Sequence, residues 1–153
     1  MLFDLLIALL GSPAAHVQEY VAAALRNLST NDENSVSIAS AGGIPPLIAL
    51  LASPAALVQE NAAAALANLS MNVENRVTIA SAGGIPPLIT LLASPAVPVQ
   101  EYAAGALANL SANSKNKVTI ASAGGIARLI ALATSPSVGV RDAASWALRN
   151  LGV

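Results

Sequence analysis

The stretch GGIPPLITLLASPAVPVQEYAAGALANLS, residues 83–111, decides the fold, because it recurs one period earlier as GGIPPLIALLASPAALVQENAAAALANLS at residues 42–70. Sliding the chain against itself, without gaps, so that Gly42 falls on Gly83 also brings Gly83 onto Gly124 and aligns Asn27, Asn68, Asn109 and Asn150. Residues 42–82 and 83–123 agree at 32 of 41 positions, so they are copies of one unit; residues 1–41 and 124–153 fit the same frame as partial, more divergent copies. The 153 residues are therefore read as a single domain of about four repeats, with no linker or second domain left over.

Within one copy, residues 75–82 read as a short helix closed by Gly83-Gly84, since glycine enters the left-handed conformation that ends helices. Ile85-Pro86-Pro87-Leu88 opens a second helix through Ala93, proline being tolerated in a first turn whose N–H groups have no intrahelical partner. Ser94-Pro95 has the form of an N-cap and first helical residue, which predicts a third, longer helix from Pro95 to about Leu110. The same pair stands at Ser12-Pro13, Ser53-Pro54 and Ser135-Pro136. In the preceding third helix, Val58, Ala62, Ala65, Leu66 and Leu69 form one helical stripe destined for the core. Asn61, Ala64 and Asn68 fall on an adjacent face, expected to be free to meet solvent or a ligand. No copy buries its own stripe alone, so the copies must stack into an all-α, right-handed superhelical α-solenoid with a convex and a concave side.

Composition narrows the functions. Charged residues are 10% and aromatics 3% of the chain, so buried surfaces are built from small side chains, which suits closely packed helices. A formal net charge of −1 argues against the broad basic stripe that nucleic acid requires. The apolar run at residues 1–10 is interrupted by Asp4 and is shorter than the roughly 18–20 residues of a membrane span. Ala-Ser-Ala triplets at residues 39–41, 80–82 and 121–123 resemble signal-cleavage sites but belong to the repeat. With no cysteine and no signal segment, an intracellular location, cytoplasmic or nuclear, is expected. The glycosylation pattern at Asn27, Asn68 and Asn109 is then a by-product of the repeat.

Nor is there a catalytic constellation. His16 is the only histidine, its equivalents are Leu57, Pro98 and Gly139, and no cysteine accompanies it, so neither a metal site nor a His-dependent triad is expected. The glycine pairs precede helices opened by proline, which removes the N–H donors of a phosphate cradle. No catalytic residue, metal or cofactor is assigned.

A repeat of this length, with GGIPPLI at residues 42–48 and ALANLS at residues 65–70, resembles the armadillo repeat along the whole chain, in wording closest to plant and protist armadillo arrays. HEAT repeats lack the short first helix with its glycine turn. The resemblance implies a protein- or peptide-binding scaffold, whose third helices line a concave groove for an extended polypeptide. It also implies that Asn27, Asn68, Asn109 and Asn150 hydrogen-bond the peptide main chain; a carboxamide offers both a donor and an acceptor. The alternative is that these asparagines tie helix ends. Importin-like members place a tryptophan four residues before the asparagine to bracket lysine stems. Here only Trp146 matches, its equivalents being Ala23, Ala64 and Gly105, so an importin-like array of lysine pockets is not expected.

Tyr20, Asn61, Tyr102 and Ala143 vary within otherwise repeated surroundings, as side-chain reading of a ligand or neutral drift would produce. One position earlier, Glu19, Glu60, Glu101 and Asp142 form a carboxylate row that would either favour a basic peptide or simply be solvated near the helix N-terminal halves.

The ends lack polar caps. Met1 aligns with Gly42, and Leu2, Phe3, Leu5, Leu6 and Leu9 offer apolar surface. Residues 1–82 carry six acids and two bases, residues 83–153 two acids and five bases, so the halves hold −4 and +3. Head-to-tail self-association is the expectation. Copies this regular fit an excerpt of a longer array or a constructed repeat protein; in either case a structural fragment or designed scaffold without a specific natural ligand is the alternative to peptide binding.

Overall fold

The computed structural model describes residues 2–153, so the alignment of Met1 with Gly42 lies outside it. Among the described residues there are eleven helices and no strand: α1 (Leu2–Leu9), α2 (Ala15–Leu28), α3 (Asp32–Ser40), α4 (Ile44–Leu50), α5 (Ala56–Leu69), α6 (Val73–Ser81), α7 (Ile85–Leu91), α8 (Val97–Leu110), α9 (Ser114–Ser122), α10 (Gly125–Leu132) and α11 (Val138–Asn150). The first helices of the repeat are α3, α6 and α9, the second α1, α4, α7 and α10, and the third α2, α5, α8 and α11. Each second helix packs on the third helix of its own copy, and the third helices lie side by side in the order α2, α5, α8, α11.

The predicted stripe is the core. Val58, Ala62, Ala65, Leu66 and Leu69 are fully buried, as are Val99, Ala103, Ala106, Leu107 and Leu110 one copy later. Alanine at such positions lets the helices approach closely, and leucine fills what remains. Each fully buried leucine contributes roughly 1.5–3 kcal/mol through its removal from water.

Two helix starts differ from the sequence reading. The short first helix begins at Val73, not Asn75, because Asn72 is the N-cap, its side chain accepting from the Asn75 N–H; Asn31 and Asn113 cap α3 and α9 in the same way. The third helix begins at Val97, not Pro95. Ser94 Oγ accepts from the Ala96 N–H at 3.1 Å, closing a turn around Pro95 and leaving Ala96 as an N-cap without a side-chain bond. Gln100 Nε2 then donates to the Ser94 carbonyl at 2.6 Å, fastening the first helical turn to that loop, and Gln18 and Gln59 do the same for Ser12 and Ser53. The second helix stops at Leu91, two residues short of the expected end.

The glycine pair divides its labour. Gly83 has φ +82°, the left-handed conformation that stops α6. Gly84 is required for closeness: a Cβ there would lie 2.7 Å from Ile79 Cγ2 and 3.0 Å from the Ile79 carbonyl oxygen. Gly105, inside α8, is different, since a Cβ there would meet nothing within 4 Å. The two glycines therefore predict effects of opposite sign under urea denaturation. Gly84→Ala lowers stability by about 1–3 kcal/mol through overpacking, whereas Gly105→Ala raises it by about 0.5–1 kcal/mol by removing a helix-interior glycine.

Candidate functional site

The sequence candidates lie on the third helices, and the structure gives them unlike environments. Asn68 Nδ2 donates to the Arg26 carbonyl at 2.9 Å and to Ser29 Oγ at 3.2 Å. Asn109 repeats the pair with the Ala67 carbonyl and Ser70 Oγ, both at 3.1 Å, and Asn150 Nδ2 donates to the Ala108 carbonyl at 3.1 Å. Each of the three asparagines thus ties its helix to the third helix of the preceding copy. The serine hydroxyls donate in turn, Ser29 Oγ to the Arg26 carbonyl at 2.8 Å and Ser70 Oγ to the Ala67 carbonyl at 2.7 Å. For Asn68 and Asn109 the two acceptors are hydrogen-bonded to each other and lie only 2.8 and 2.7 Å apart, close enough to share one amide hydrogen, and Oδ1 accepts nothing from the described residues. The carboxamide oxygens are thus unengaged toward an incoming main chain. Asn27 is exposed and makes no such tie.

Asn61 and Ala64 are not open to solvent, against expectation: Asn61 is 9% and Ala64 2% exposed. Asn61 is covered by Arg26, which extends from the last turn of α2 across α5 to α8. Its Nη1 donates to Asn61 Oδ1 at 3.1 Å and stands 3.6 Å from Glu60 Oε1. Its Nη2 donates to the Tyr102 hydroxyl, and its Cζ lies 4.7 Å from the centre of the Tyr102 ring. Tyr20, in the same register as Asn61 and Tyr102, is 69% exposed and belongs to no cluster.

Further along, Asn68 and Asn109 meet Trp146. A cavity of about 280 Å³ is bounded by Ala67, Asn68 and Met71 of one copy, Gly105, Ala108 and Asn109 of the next, and Asp142, Ala143 and Trp146 of the last. Its floor is made of alanine and glycine and its wall is an indole that remains 61% exposed. Asp142 supplies a carboxylate. An indole face beside a carboxylate is the chemistry that suits a long aliphatic stem ending in a cation.

The carboxylate row does not act as a unit. Glu60 faces Arg26, Asp142 lines the cavity, and Glu101 occupies the space left by Gly139, where a Cβ would meet its carboxylate at 2.5 Å. A larger hollow of about 560 Å³ lies between α6 and α9, lined by Val77, Ala80, Ser81, Asn113, Asn116 and Thr119 among others. The counterparts of these residues one period earlier, Val36, Ala39, Ser40, Asn72, Asn75 and Thr78, line a second hollow between α3 and α6. A hollow that recurs with the period is the seam between stacked first helices, and none of the candidate residues borders it.

Sequence reasoning missed Arg26, Met71 and the buried serines. Arg26 left a signal: its equivalents are Ala67, Ala108 and Arg149, a change of size and charge beside an invariant asparagine. The serines stood in view within the glycosylation-like pattern, whose periodicity comes from the inter-copy tie.

The profile of the armadillo/beta-catenin-like repeat matches residues 31–71, 72–112 and 113–153. Each segment opens on an asparagine that caps a first helix, so the profile shares the period of the chain but starts at the short helix and not at the glycine pair. Among solved structures, an engineered protein from the Northeast Structural Genomics Consortium is similar with a TM-score of 0.94 at 38% identity, over 98% of this chain and 62% of that one. Computationally designed armadillo repeat proteins for modular peptide recognition give 0.90 at 30% identity, over 97% of this chain and 63% of that one. A designed armadillo repeat protein in complex with the peptide (KR)4 gives 0.89 at 28% identity, over 97% and 64%. The chain thus spans somewhat less than two thirds of the length of each. No curated protein matches it.

Proposed function

We propose, from the premise that the chain belongs to the armadillo/beta-catenin-like repeat family, that it holds an extended peptide along its concave face, centred on Asn68, Asn109 and Trp146. The observation that carries this reading is the convergence of two carboxamide acceptors, an exposed indole and the Asp142 carboxylate on one cavity floored by alanine and glycine. Oδ1 of Asn68 and of Asn109 each accepts a peptide N–H, fixing the main chain without reading its sequence. Trp146 and Asp142 select a basic side chain. Asn150 extends the run, and Asn27 and Tyr20 contribute from the exposed far end. Asn61 and Tyr102 act through Arg26 and not by direct contact. The binding of (KR)4 by a related designed protein makes an alternating Lys-Arg peptide the natural probe. The reading assigns the chain no catalysis and includes the intracellular compartment expected for a cysteine-free sequence.

Two net hydrogen bonds of about 0.5–1.5 kcal/mol each predict that the Asn68→Ala, Asn109→Ala double variant binds (KR)4 about tenfold more weakly, measured by isothermal titration on protein shown by circular dichroism to be folded. Equal affinity in the folded double variant contradicts the ladder.

A second reading rests on a different observation. Helix α1 has no buried residue and exposes Leu2, Leu5 and Leu9, and the half of the chain containing it is acidic while the other half is basic. We propose that this face meets the basic end of a second copy, head to tail. Light scattering after size exclusion should give a mass above 15.2 kDa that rises with concentration and falls with salt. A constant 15.2 kDa in low and high salt alike rejects self-association.

A further inference from the structure

Arg26 has the surroundings of a bound ligand although it belongs to the chain. Asn61 Oδ1 and the Tyr102 hydroxyl accept from its two terminal nitrogens, the Tyr102 ring lies under its guanidinium, and Glu60 stands 3.6 Å away. Acceptor, aromatic face and carboxylate are the groups by which proteins recognise a foreign arginine. They come from two other copies: Glu60 and Asn61 from α5, Tyr102 from α8. The root of the side chain is also fixed, because the Arg26 carbonyl is held by Asn68 Nδ2 and Ser29 Oγ. No such occupant is available further along, where the equivalent positions are Ala67 and Ala108, and there the groove opens into the cavity beside Trp146. Tyr102 lies one turn from Gly105 and two from Asn109, which line that cavity, so the filled and open sites are neighbours on one face of α8.

We infer that Glu60, Asn61 and Tyr102 form a second arginine-binding subsite of the groove, and that Arg26 occupies it in cis. The intramolecular side chain faces a foreign arginine with a high effective concentration, in the millimolar range for flexible tethers, and so keeps that stretch of groove closed. Basic recognition is thereby confined to the Trp146 end. Removing Arg26 converts an internal contact into a binding site. The inference draws its meaning for peptides from the groove reading above, but the subsite itself is testable without a peptide.

Arg26→Ala deletes the side chain beyond Cβ, and ethylguanidinium has the shape of the deleted part. The expected result is a saturable, millimolar shift of the Tyr102 ring resonances when Arg26→Ala is titrated with ethylguanidinium. The shift should be absent in the parent protein, in the Arg26→Ala, Glu60→Ala, Asn61→Ala triple variant, which keeps the Tyr102 ring but lacks its polar partners, and with ethylammonium, which lacks the planar fork. (KR)4 should bind Arg26→Ala several-fold more tightly than the parent. If Arg26→Ala does not fold, the same titration is made with Arg26→Ser on the Gly105→Ala background. No saturable response in the folded variant, or the same response in the parent, overturns the inference. Absence of the ethylguanidinium response while (KR)4 still binds the parent rejects the subsite and leaves the groove reading intact. An ethylguanidinium response without any binding of (KR)4 by the parent does the reverse.

Discussion

Everything in this molecule depends on third helix packing against third helix. A single copy has one long helix whose Val, Ala and Leu stripe is covered only partly by its own shorter helices, and the next copy supplies the remaining cover. The constraint is geometric as well as hydrophobic, because the asparagine of each copy donates to a carbonyl of the copy before: Asn68 to Arg26, Asn109 to Ala67, Asn150 to Ala108. The stripe brings neighbours together and the amide sets their register. A row of carboxamides along the concave side follows from that register, since the groups that lock the stack are also the groups that line the groove.

This double duty limits what the ladder offers. A carboxamide tied to the copy before it still presents an oxygen with no partner among the described residues, which meets a main chain without reading its side chains. Selectivity must come from elsewhere, and the small residues at 23, 64 and 105 leave only Trp146 to form an aromatic wall. Arg26 then takes up much of the remaining polar surface. The concave face is therefore uneven despite a regular backbone: filled across α5 toward Tyr102, open where α5, α8 and α11 meet at the cavity.

The architecture was legible in the sequence because a constant period with glycine, proline and asparagine at fixed places leaves few ways to fold. The stripe from Val58 to Leu69 was readable for the same reason. Boundaries were less legible. Ser94-Pro95 carries the residues of a helix start, yet the hydroxyl satisfies the N–H two residues on and the helix waits until Val97. The site was half legible: the asparagines stand out by recurrence, but the partners of their amide hydrogens lie 39 and 42 residues away, and a long flexible side chain such as Arg26 selects its partners only in three dimensions. Tyr102 and Asn61 were noticed as departures from the repeat. Their shared partner, 76 and 35 residues distant, was beyond any local pattern.

The most direct test follows the side-chain amide resonances of Asn68 and Asn109 and the indole N–H of Trp146 while (KR)4 is added to the unaltered chain. Peptide held on the asparagine ladder shifts all three together and saturably, and leaves the backbone amides of Val77, Ser81 and Thr119 in the first-helix seam unmoved. Shifts confined to that seam, with the asparagine and tryptophan signals stationary, would contradict a binding surface built on the third helices.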